Sequence, residues 1–153
     1  MSKSYSVRYR FSQRFDAPPK KAYEWCTDYR TDDWTIMGKN GKRKIERLNE
    51  DTIILTDTYA GKNGPVTKQR LVRLSPESLA WTNTHVGGPN LHSQFWYQIV
   101  PEGKGSRLDF TGLQVNYGRR PSVKKVAKLS EELAKEDSGM WLLLAEAMHK
   151  DFF

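Results

Sequence analysis

Arg119–Phe153 reads RRPSVKKVAKLSEELAKEDSGMWLLLAEAMHKDFF, and its periodicity is that of one long helix. Pro121-Ser122 open it. Val123, Val126, Leu129, Leu133, Met140, Leu143, Leu144 and Ala147 form its predicted apolar stripe, and Lys124, Lys125, Lys128, Glu131, Glu132 and Lys135 face water. Gly139 admits either a kink near Ser138-Gly139 or a straight helix that tolerates the glycine. Ahead of it, Lys42 to Tyr117 holds little but β-rich runs and turns. A lone terminal helix beside one large antiparallel sheet must lie across it, because neither element buries its apolar side alone.

Working outward, Ser4 to Phe15 alternates. Tyr5, Val7, Tyr9, Phe11 and Phe15 fall on one side and Ser6, Arg8, Arg10, Ser12 and Arg14 on the other, a strand with one buried face. Asp16-Ala17-Pro18-Pro19 ends it and starts a helix in which Ala22, Tyr23, Trp25, Cys26 and Tyr29 recur, running to about Asp28. A second short helix or turn is expected over 31–37, anchored by Trp34 and Met37. Strands are predicted at about 42–48, 52–60, 66–75, 78–86, 91–100 and 106–117, separated by turn residues such as Gly87-Gly88-Pro89-Asn90. Short links make successive strands antiparallel neighbours.

With 153 residues, 37% hydrophobic and 28% charged, the chain is expected to form one soluble globular domain over 1–153. No apolar run approaches the roughly 20 residues of a membrane helix, and MSKSYSVRYR lacks the apolar core of a signal peptide. The cytoplasm is therefore the expected compartment. Cys26, the only cysteine, excludes an internal disulfide and reads as packing. The net charge of +7 permits acidic partners. The densest basic groups, Gly38–Lys44 and Arg119-Arg120 with Lys124-Lys125, read as solvated surface, so nucleic acid is not the expected partner. The sequence contains no nucleophile elbow, phosphate loop, dinucleotide fingerprint or paired-histidine metal motif. No cofactor or metal is expected.

Three stretches carry a family resemblance. Phe15-Asp16-Ala17-Pro18-Pro19-Lys20-Lys21-Ala22-Tyr23-Glu24-Trp25 looks like a strand-to-helix entry. Arg73-Leu74-Ser75-Pro76-Glu77-Ser78-Leu79-Ala80-Trp81 is similar to a strand–proline–strand hairpin. Tyr97–Phe110, YQIVPEGKGSRLDF, is similar to a penultimate hairpin. Together with the element order they resemble the START, birch-pollen-allergen and polyketide-cyclase superfamily. The resemblance implies an α+β helix-grip fold: a seven-stranded curved antiparallel sheet around the long C-terminal helix, with two short helices after the first strand. It also implies a cavity between sheet and helix that usually holds an apolar small molecule. Five Trp, seven Tyr and six Phe supply rings to line it.

The family pattern points Phe95, Tyr97, Ile99, Leu108 and Phe110 at the helix and His92, Gln94, Trp96 and Gln98 away from it. Leu79, Trp81, Asn83 and His85 then face in. A four-residue loop 87–90 would instead oppose His85 to His92 and Trp81 to Trp96; a three-residue loop or a bulge removes the conflict. The family pattern is preferred. Tyr9, Phe11, Tyr59, Trp81, Asn83, His85, Phe95, Tyr97, Phe110, Leu133, Met140 and Leu144 are the expected ligand contacts. His85, Asp57 and Tyr59 are weak acid–base candidates; His92 and His149 read as exposed. Three functions follow in order: binding or transport of a small apolar ligand (lipid, sterol-like or aromatic); a cyclase, aromatase or hydrolase using the inward His, Asp or Tyr; and a co-chaperone-like or nucleic-acid-binding interaction module, with a protein partner.

Overall fold

The computed structural model describes residues 3–153. Strand β1 (Ser4–Phe15) leads into helices α1 (Pro19–Thr27) and α2 (Asp33–Ile36). Strands β2 (Lys42–Asn49), β3 (Thr52–Gly61), β4 (Gly64–Ser75), β5 (Ala80–Gly87), β6 (Gln94–Glu102) and β7 (Gly105–Tyr117) follow, and α3 (Val123–Phe152) closes the chain. The expected element order holds throughout. A single 3-10 turn at Pro76–Ser78 delays β5 by two residues relative to the predicted start at 78.

The strands form one curved seven-stranded antiparallel sheet in the order β1-β7-β6-β5-β4-β3-β2. Its two edges are consecutive in the chain, so α1 and α2 join them. On the β1 edge, Ser130 Oγ of α3 donates to the Arg8 carbonyl at 2.6 Å. On the β2 edge, Lys42, Lys44 and Glu46 are exposed.

One core cluster packs Trp141, Ala145 and Met148 of α3 with Phe15, Ala22, Tyr23, Cys26, Leu55, Trp81 and Leu108. A second joins Tyr9, Phe95 and Phe110, with Leu133 and Ala134 against them. The helix runs unbroken past Gly139, and Ser122 caps it by accepting from the Lys125 N–H at 3.2 Å. Its inner stripe differs from the predicted one at its first residue and again in the second half. Trp141, Ala145 and Met148 are buried, whereas Val123 is 78% and Leu143 43% exposed. Leucines 142–144 occupy consecutive positions, so composition there does not mark a face, and the phase is set by the large ring of Trp141.

The facing of β5 and β6 follows the family pattern: Trp81 lies opposite Tyr97 and Asn83 opposite Phe95. The device is a bulge. The His85 N–H donates to Ser93 and the His92 N–H donates to His85, so two residues of the incoming strand meet one. His92 takes the left-handed φ of 72° at the bulge. The connection therefore spans 88–93 and β6 starts later than the predicted 91.

Among the described residues, no helix is long and apolar enough to cross a membrane. Among them, too, no group of three or more His, Cys, Asp and Glu side chains could hold a metal ion.

Candidate functional site

Cross-strand pairing arranges the inner face of the sheet in rows. One row runs Arg43, Asp57, Lys68 across β2, β3 and β4; the next runs Ile45, Leu55, Arg70, His85 across β2 to β5. A third runs Val72, Asn83, Phe95, Gly112, Tyr9, and a fourth Leu74, Trp81, Tyr97, Phe110, Phe11. Directly opposed residues share a face, so the inner wall changes from charged at the β2 side to aromatic at the β1 side. Gly112 permits one close approach: a Cβ there would come within 2.6 Å of the Tyr9 ring. That ring therefore lies down on the sheet and points its hydroxyl at the helix.

Between this wall and α3 is a cavity of about 420 Å³. Phe95, Tyr97, Phe110, Leu133, Met140 and Trp141 give it apolar surface. Lys68, Arg70 and His85 line it from the sheet, Glu136 and Asp137 from the helix, and Lys39 from the segment after α2. A smaller space of about 90 Å³ adjoins it near α1, sharing Arg70, Tyr97, Met140 and Trp141 and adding Trp81, Asn83 and Leu144. Tyr97 stacks flat on Trp81 with ring centroids 4.6 Å apart.

The charged side of the wall is organised by Asp57. Its carboxylate, fully buried, accepts from Arg43 Nε at 2.8 Å and Nη2 at 3.0 Å and from Arg70 Nη2 at 2.8 Å. Arg43 also donates to Asp33 at 2.7 Å. Burial pushes the Asp57 carboxyl upward, but the Arg43 hydrogen bonds and the charges of both guanidinium groups outweigh it and hold it below the usual carboxylate range. Lys68 makes no ion pair among the described residues. Its ammonium lies 5.6 Å and 5.7 Å from the ring centres of Trp34 and Tyr59. Burial and then the neighbouring Arg70 charge push it down to about 8.

His85 Nδ1 lies 3.2 Å from the Pro89 carbonyl, which can only accept, so Nδ1 carries the proton and Nε2 the lone pair. Burial, followed by the Arg70 charge, pushes the ring down to about 4, and it is neutral at pH 7. Opposite, the Tyr9 hydroxyl donates to Asp137 at 2.5 Å. Burial raises both groups; the Asp137 charge raises Tyr9 further, while the Tyr9 hydrogen bond only partly offsets the rise at Asp137. Among the polar side-chain atoms buried without a partner in the described residues are Asn83 Oδ1 and Arg70 Nε, both on the sheet wall.

Of the residues expected from sequence, Tyr9, His85, Phe95, Tyr97, Phe110, Leu133 and Met140 line the larger cavity, and Trp81, Asn83 and Leu144 the smaller one. Phe11 stacks behind Phe110, with ring centres 4.5 Å apart, and lines neither. Tyr59 packs at a tilt against Trp34 and lines neither space. Asp57 also lines neither; its two carboxylate oxygens are taken by the arginines, so it has no free position for acid–base work. His92 is exposed as expected, but His149 is half-buried and its Nε2 accepts from the Asp16 N–H at 3.0 Å.

Sequence reasoning missed Arg43, Lys68, Arg70 and Asp137. Arg43, read as solvated surface, keeps only 4% of its side-chain exposure. Signals for the others exist. Val66, Val72 and Leu74 share one strand phase with Lys68 and Arg70, and Asp137 falls four residues from both Leu133 and Trp141 on one helical stripe.

No protein-family model matches the chain, and no curated protein matches it. Solved structures do. A START superfamily protein from Mycobacterium smegmatis superposes with a TM-score of 0.69 at 13% identity, covering 94% of this chain and 98% of its own. The crystal structure of Ara h 8.0201 gives 0.69 at 12%, covering 95% and 99%. The Zhui aromatase/cyclase of Streptomyces sp. R1128 gives 0.68 at 11%, covering 96% and 93%. With the sheet order, the bracing terminal helix and these superpositions together, the chain has the helix-grip fold that these solved structures share.

Proposed function

We propose that this protein binds a small, largely apolar molecule (lipid, sterol-like or aromatic) between the sheet and α3, in the cytoplasm. The observation that carries the reading is the cavity of about 420 Å³, which the surrounding side chains leave open rather than fill. That volume lies within the range of small-molecule sites, roughly 300–1,000 Å³. Phe95, Tyr97 and Phe110 offer flat surface, and Leu133 and Met140 close the helix side. The superposed Ara h 8.0201 and Zhui aromatase/cyclase share the architecture.

A catalytic role has less support. Of His85, Asp57 and Tyr59, only His85 lines the cavity, and a proton-transfer pair needs two groups converging on one substrate.

The test is native mass spectrometry of protein purified from its own host, combined with thermal unfolding against a panel of a fatty acid, a sterol and a fused-ring aromatic. We expect a co-purifying small molecule and a midpoint that rises with at least one panel member. Leu133→Trp, which puts an indole into the space, should weaken that ligand about tenfold or more. No bound mass together with no thermal shift from any compound would overturn the reading.

A further inference from the structure

We infer that the ligand is an aromatic monocarboxylic acid, its carboxylate held on the sheet wall by Lys68 and Arg70 and its ring against Phe95, Tyr97 and Phe110. This rests on the binding reading above and adds the charge of the ligand and its orientation.

Arg43, Lys68 and Arg70 lie on the inner wall, and the carboxylates paired there are Asp57 and Asp33. Arg43 and Arg70 are ion-paired to these carboxylates, and Lys68 is in no ion pair among the described residues, because Asp57 is taken by Arg43 and Arg70. The rings of Trp34 and Tyr59 compensate part of the Lys68 charge but provide no counter-ion. Lys39, also at the cavity, adds to it. His85, neutral, sits opposite Arg70 in the sheet and adds no charge of its own.

A half-buried cation without a counter-ion is costly, and an anion delivered by the ligand relieves it. Burial is the first cause that pushes the Lys68 ammonium down, and the charges of Arg70, Arg43 and Lys39 add to it against a partial offset from Asp57. Arg70 gives a single hydrogen bond to Asp57 and leaves its buried Nε unpaired. Glu136 and Asp137 across the same cavity repel a second negative charge, which favours a monoanion over a phosphate dianion. The acidic groups at the cavity, Glu136 and Asp137, both lie on α3, and Asp137 already accepts from Tyr9. An anionic end is therefore directed to β4 and away from the helix. A flat body follows from the stacked rings beside it.

The experiment titrates wild-type protein with naphthoate and with naphthamide, which has the same shape and no charge, and repeats both with Lys68→Met and Lys68→Arg. Wild type should prefer the acid by about tenfold or more, as for hydrogen bonds to charged groups. Lys68→Met should remove most of that preference and Lys68→Arg should keep it. Equal binding of acid and amide by wild type overturns the carboxylate assignment while leaving the binding reading intact. A preference that survives in Lys68→Met overturns it too. Naphthoate failing to bind at all also overturns it, and the fatty-acid and sterol arms of the panel then decide separately whether the cavity binds anything.

Discussion

Asp57 and His85 were both inward polar residues in the sequence, and their surroundings give them different parts. Asp57 lies directly opposite Arg43 and one strand from Lys68, so it anchors ions and stays charged. His85 lies opposite Arg70 and stays neutral, with its folded value near 4 against an ordinary 6.5. The unfolded chain takes up the proton first as the pH falls, so the contribution of His85 to stability is complete above pH 6.5 and is lost on the way down to 4. The loss is up to about 3 kcal/mol. Asp137, raised by burial, acts in the opposite sense, which is why the comparison must be with His85→Gln. Urea unfolding of both proteins between pH 7 and 4.5 should show the steeper decline in wild type; parallel curves would refute the assignment. The inward facing of His85 was legible from alternation. The cations around it were not, because Leu71 beside Val72 blurs the phase of that strand and lets Lys68 and Arg70 pass for surface.

At the scale of elements, α3 was legible as a helix in length and position, and its phase was legible only along its middle turns, since Val123 at its start is exposed. Leu133 and Met140 meet the sheet side as read and Leu129 is half-buried, but the run Trp141–Leu144 is apolar all round, so periodicity cannot choose a face. Gly139 lies on the exposed side, and a Cβ there would meet nothing within 4 Å. The glycine thus costs helix stability with no packing return. Gly139→Ala should stabilise the protein by about 0.5–1 kcal/mol, read as a higher urea midpoint at unchanged slope. A fall in the midpoint would mean that the helix needs the glycine's freedom. The β5–β6 connection shows the other limit. Loop length alone gave the wrong opposition of His85 and His92, and only a bulge with His92 at positive φ restored the pattern.

For the whole molecule, the order of elements and the hairpin turns were sufficient to give the architecture, because each short link forces an antiparallel neighbour. The hollow was expected to be greasy and is instead two-sided, since its character depends on which residues meet across strands, information that no single stretch contains. The same open sheet has a consequence for self-assembly. Its β2 border presents unpaired backbone to water with Lys42, Lys44 and Glu46 exposed along it. These side chains act as gatekeepers: a second molecule docking strand to strand would have to bury them. Replacing the three with threonine or valine should let monomers zip together, seen as growth in scattered light during storage, and a triple variant that scatters no more than its parent would show that the border is guarded some other way.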